Sequence, residues 1–138
     1  MTASRPWVLQ GMADPEPPWD VEARVVATAA HARIVRALVT SCASRAPFSV
    51  EEIEDLRLLA DEVFVVLCET GAQWARVAVA VTSDDIILEL RATEGDRWAA
   101  VDTTMVELVA GVVAPGATMA FDEEPPTFRA TVRRGRLG

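Results

Sequence analysis

Apolar positions change period along this chain, and the changes mark its elements. From Val21 the stretch VEARVVAT alternates apolar and charged residues before two adjacent apolar ones, the pattern of a half-buried strand. HARIVRALVTSCASRA follows, with Ile34, Val35, Leu38, Val39 and Cys42 at helical spacing and Arg33, Arg36 and Arg45 elsewhere. Pro47 ends that region and SVEE opens a second helix. Ser49 as N-cap with Glu52 three residues later makes a capping box, and Glu51, Glu52 and Glu54 suit the positive end of the helix dipole. The pattern predicts a helix to about Thr70, capped by Gly71, with a core stripe of Ile53, Leu56, Ala60, Val63 and Leu67.

Two β-rich runs in ARVAVAVTSDDIILELRA flank residues 82–85, a good antiparallel hairpin, and TEGDR breaks the second run. A weaker helix is expected over residues 101–113, with Met105, Leu108, Val109 and Val112 on its core face, stopped by Pro115 and Gly116. ATMAFDEEPPTFRATVRR closes the chain as two strands around residues 122–126. The order β-α-α-β-β-α-β-β predicts an α+β two-layer sandwich, with three helices on one face of a mostly antiparallel sheet. Residues 1–19, with Pro6, Pro15, Pro17 and Pro18, are expected as a flexible arm and residues 20–138 as one domain. Trp7 and Trp19 are unusual in such an arm; packing onto the domain or onto a partner are both open.

Composition narrows the classes. The 138 residues suit one domain, and 51% hydrophobic residues is too many for a disordered chain. No run approaches the roughly 20 apolar residues of a membrane span, and the acidic, proline-rich start does not resemble a secretory signal, so a cytoplasmic protein is expected. A net charge of −8 argues against direct nucleic-acid binding, which rests on cations. All thirteen basic residues are Arg; with no Lys and no Asn, neither a P-loop lysine nor a metal-binding asparagine is available. Cys42 and Cys68 stand without metal-ligand spacing and are expected as small buried residues, and the single His31 as structural.

Carboxylates at Asp55, Glu62 and Glu69 recur every seven residues and fall, with Val66, on or near one face of the long helix. Such a face is ordinarily solvated. The order of elements and the stretches VEARVVATAAHARIVRALV and SVEEIEDLRLLADEV, with IEDLRLLADEV as the specific core, resemble the anti-sigma-factor serine-protein kinases. These are small bacterial members of the histidine-kinase/Hsp90-like (GHKL) ATPase superfamily. The resemblance covers residues 21–134, and it implies that superfamily's fold, homodimerisation and pairing with a sigma factor.

What the resemblance implies at a nucleotide site is degenerate here. Glu62 matches the family's catalytic glutamate, a base or water-positioning group, but Val66 stands at the asparagine that holds Mg²⁺. In the adenine-reading box Thr93 replaces the aspartate, Gly95 is kept and Arg97 replaces the last glycine; Glu94, one place on, is a weaker substitute. The lid region RWAAVDTTMVELV lacks the glycines whose amides would cover phosphates, and Trp98 intrudes there. Thr127 is a weak match to a threonine of the last strand. Loss of Mg²⁺ ligation removes most of the rate of phosphoryl transfer.

Three functions follow as expectations. The first is an anti-sigma-like regulator of transcription that binds a sigma factor or an anti-sigma antagonist, with no cofactor required. The second is an ATP- and Mg²⁺-dependent serine kinase of an antagonist, with Glu62 as base, Glu94 or Asp96 reading adenine and Glu69 or Asp61 holding metal. The third is a scaffold or oligomeric module unrelated to sigma factors.

Overall fold

The computed structural model describes residues 17–133. Its elements are β1 (Val21–Val26), a 3-10 turn (Ala29–His31), α1 (Ala32–Ala43), α2 (Val50–Glu69), β2 (Trp74–Val81), β3 (Asp85–Thr93), α3 (Thr104–Val113), β4 (Thr118–Ala120) and β5 (Thr127–Arg133). The strands form one sheet in the order β1-β2-β3-β5-β4, and every neighbouring pair is antiparallel. The α+β class and the element order are those the pattern predicts. Among the described residues no helix is long and apolar enough to cross a membrane.

Helix α2 has two fixed ends. The Ser49 hydroxyl accepts from the Glu52 N–H at 3.1 Å, and the Glu52 carboxylate accepts from the Ser49 N–H at 2.8 Å. At the other end Gly71 takes φ of +95°, a left-handed turn that other residues adopt at a cost. Between them Leu56, Leu59, Ala60, Val63, Phe64 and Leu67 are fully buried, whereas Ile53 is only half-buried. α2 packs between α1 and α3. Asp61 meets Arg36 of α1 at 2.7 Å, which fixes the side of α2 that α1 takes.

The third helix differs from the expectation in start and facing. It begins at Thr104, where the Asp102 carboxylate accepts the Thr104 N–H at 3.0 Å. Residues before it are drawn away from a helix, the Ala99 N–H donating to the Thr70 carbonyl at 2.7 Å. Val106, Ala110 and Val113 face the core, while Met105, Leu108 and Val112 are 55, 63 and 70% exposed. The helix is apolar nearly all round, so periodicity could not choose a face. The smaller side chains lie inward, which lets α3 approach closely.

The opposite face of the sheet carries charge. Glu22, Ala78, Glu89 and Arg129 stand in register across β1, β2, β3 and β5, with Arg76 two residues away along β2 on the same face. Arg76 donates to Glu22 and to Glu89, each at 2.6 Å, and Arg129 lies 3.1 Å from Glu89, whose side chain is 6% exposed. Ala78 stands opposite both Glu22 and Glu89, and its small side chain leaves the space through which Arg76 reaches both carboxylates. Burial alone would lower the Arg76 pKa, but its bond to Glu22 and the charges of Glu89 and Glu22 raise it above the ordinary value. The Trp19 ring lies 5.6 Å from the Arg76 guanidinium and 5.4 Å from that of Arg129. Of the two arm tryptophans, Trp19 therefore packs on the domain; Trp7 is outside the described residues.

This network sets two unequal expectations. Glu89→Ala leaves Arg76 and Arg129 without their shared carboxylate and is expected to cost about 3–5 kcal/mol. Glu22→Ala, at an exposed carboxylate, is expected to cost at most about 1 kcal/mol. Urea unfolding of the two variants beside the parent measures both.

Candidate functional site

The residues singled out by sequence fall on two elements, α2 and the β3–α3 connection. On α2, successive residues step about 100° around the axis. Asp61 faces α1, so Glu62 and Val66 turn toward the α3 side. Val66 is 5% exposed and belongs to the core rather than to the wet face on which the seven-residue spacing placed it. Glu62 is half-buried at the edge of that side. Asp55 lines a surface cleft with Arg36 and Asp61, whereas Glu62 is half-buried and Glu69 exposed farther along α2.

The β3–α3 connection turns elsewhere. Thr93, the last residue of β3, donates its hydroxyl to the Trp74 carbonyl at 3.3 Å. Glu94 takes φ of +56°, and its carboxylate pairs with Arg24, whose guanidinium also lies 4.5 Å over the Trp74 ring. Arg24, Trp74 and Thr93 share the sheet face that the helices do not cover. Glu94 is therefore directed away from Glu62. Among the described residues no hydrogen bond or ion pair is seen between the two.

Gly95 is required by packing. A Cβ there would lie 2.6 Å from the Trp98 ring, so the indole occupies the space that a side chain would take. Trp98 is in turn half-buried against the core. The same connection presses on the end of α2: a Cβ at Gly71 would lie 2.4 Å from the Arg97 carbonyl oxygen. The segment 95–99 is thereby pinned against the α2 terminus by one backbone hydrogen bond and one close glycine contact, at Gly71. Sequence reasoning found Gly95 and Trp98 but not their mutual contact, which spans three residues and leaves no periodic signal.

A cleft of about 440 Å³ opens beyond this segment, lined by Ala100, Val101, Thr103, Glu107, Met119, Phe121 and Asp122. Glu62, Val66, Thr93, Glu94 and Gly95 do not line it, but Ala100, Val101, Thr103 and Glu107 belong to the stretch compared with a lid. Its polar groups are few: Thr103 donates to Glu107 at 2.5 Å, and Asp122 is exposed. Asp102, at its rim, is held below the usual carboxylate range by the backbone N–H and then the hydroxyl of Thr104. No three His, Cys, Asp or Glu side chains converge to hold a metal among the described residues.

Neither thiol is poised as a nucleophile. Burial pushes Cys68 up to about 11, with Glu69 adding to the effect, and burial followed by Asp20 raises Cys42 against the opposing charge of Arg45. Cys42 is buried as expected; Cys68 is only partly so. The sequence matches no family model and no curated protein closely enough to assign a relationship.

The Gly95–Trp98 contact has a direct test. Gly95→Ala is expected to displace the indole and lower stability by about 1–3 kcal/mol, the range for overpacking a filled site. In a Trp98→Ala background the same substitution should cost much less. Urea unfolding of the four chains, with Trp fluorescence of those retaining Trp98, measures the coupling.

Proposed function

We propose that this chain regulates by binding protein, as an anti-sigma-like domain that sequesters a sigma factor or an anti-sigma antagonist. Nucleotide turnover has no part in this reading. The observation that carries it is the α3 stripe. Met105, Leu108 and Val112 repeat at intervals of three and four residues on one exposed side of a helix that also exposes Glu107. An exposed apolar row bordered by charge suits a protein interface, where apolar anchors supply affinity and charges supply selection.

Three further placements favour binding over phosphoryl transfer. Val66, at the position of a metal-binding amide in the family resembled, lies in the core and offers no oxygen. Glu94 is engaged by Arg24 on the far side of the sheet. Trp98 closes on Gly95, where a nucleotide would need backbone to approach. Glu62 in this reading contributes charge to a contact surface and is not a general base.

Calorimetry with ATP and with ADP, each with and without Mg²⁺, is expected to detect no binding tighter than about 1 mM, roughly 4 kcal/mol. Purified sigma factors of the source organism are expected to bind, and Leu108→Arg is expected to weaken that binding at least about tenfold. Micromolar, Mg²⁺-dependent ATP binding lost in Glu94→Ala would return the kinase reading to the front.

A further inference from the structure

The first described residues cross the uncovered face of the sheet. The Asp20 N–H donates to the Val79 carbonyl, so residue 20 is still beside β2. Trp19 lies over Arg76 of β2 and Arg129 of β5. Pro17 borders a groove with Ile87 of β3, Thr131 of β5 and Thr118 of β4. Residues 17–20 therefore run from β2 toward β4, the strand at the far edge of the sheet, and the segment ahead of Pro17 begins at that edge.

The cleft of about 440 Å³ lies on the other side of the same strand. Successive residues of a strand point to opposite faces. Thr118 borders the Pro17 groove, and Met119 lines the cleft with Val101, Phe121, Glu107 and Asp122. Met119 stands opposite the buried Phe128 and is 36% exposed. Thr103 donates to Oε2 of Glu107, which leaves Oε1 for a cation. Among the described residues the lining combines apolar side chains with two carboxylates and contains no basic group. Such a cleft suits a bulky apolar group with a cation beside it.

The segment ahead of Pro17 carries that pair. Trp7, Val8 and Leu9 are its longest apolar run, and Arg5 is the only charged residue among positions 1–13. Pro6 between them has a fixed φ, which lowers the entropy lost when Arg5 and Trp7 are held together. Trp7 is ten residues before Pro17, about 30 Å of extended chain, against roughly 20 Å between layers on the two faces of a sheet. We infer that residues 5–7 of each chain seat in its own cleft between α3 and β4. The Trp7 indole lies against Val101, Met119 and Phe121, and the Arg5 guanidinium meets Glu107 and Asp122. A tether of this length holds the segment at an effective concentration on the order of 1 mM, so a weak contact suffices. A partner segment of the same chemistry, an aromatic beside a cation, has to displace it. The inference does not depend on a sigma factor being the partner.

Amide chemical shifts of the full chain, compared with those of Trp7→Ala, test it. Differences are expected at Val101, Thr103, Glu107, Met119 and Phe121 and not around Arg76 on the uncovered sheet face. Unchanged shifts elsewhere show that the variant is folded. Arg5→Glu should move the Glu107 and Asp122 amides in the same direction as Trp7→Ala. In a Met119→Arg background, Trp7→Ala should produce no further change at the cleft. Because the contact lies within one chain, the wild-type shifts should survive a roughly tenfold dilution at a constant mass of 14.9 kDa. Cleft shifts that fade on dilution assign the seat to the segment of a second copy and overturn the inference. So do differences that map to the uncovered sheet face, or a Trp7→Ala spectrum that matches the wild type at every cleft residue.

Discussion

Every other element of this protein is referred to α2. Its buried row from Leu56 to Leu67 lies over the sheet, α1 and α3 pack on its two sides, and the chain leaves it through a left-handed Gly71. The capping box at Ser49 satisfies donors that the first turn would otherwise leave unpaired, and the acidic first turn agrees with the dipole. Because the two ends are fixed independently, the rotation of the helix is fixed as well. That rotation puts Asp61 on Arg36 and Val66 in the core.

What could be read in advance follows from how local each signal is. The limits of α2, the hairpin at residues 82–85 and the class of fold rest on short-range chemistry: a cap, a C-terminal glycine, two β-rich runs around a turn. The Thr82 hydroxyl accepting from Asp85 at 2.9 Å is of the same kind. The facing of α3 was not legible, because Met105, Val106, Leu108, Val109, Val112 and Val113 are all apolar and only docking distinguishes them. The carboxylate of Glu89 escaped notice for a related reason. Its three arginine neighbours come from residues 76, 91 and 129, and only the strand register assembles them.

The candidate site divides along the same line. Glu62 was matched to a catalytic glutamate on an ordinarily solvated face, and in the fold it is half-buried. Whether it met Glu94 depended on which way the chain turned after β3, and a positive φ at Glu94 with the Arg24 pair sends that carboxylate to the uncovered sheet face. The Gly95–Trp98 contact then fills the turn. Residue types compatible with chemistry were thus recruited by packing and by cross-strand electrostatics instead, a competition that spacing along a sequence does not record.

The placing of Trp19 carries a temporal consequence. Its ring rests on guanidinium groups from residues 76 and 129, the second contributed by the last strand along the chain. The beginning of the domain is therefore synthesised first and seated late, since its resting place does not exist until β5 has paired with β3. During synthesis the Arg129 part of that resting place is missing for more than a hundred residues, and a long loop must close before the full contact forms. Once seated, it makes the start of the domain a seal on the completed order of strands, so that fluorescence from this one indole would report the final stage of folding.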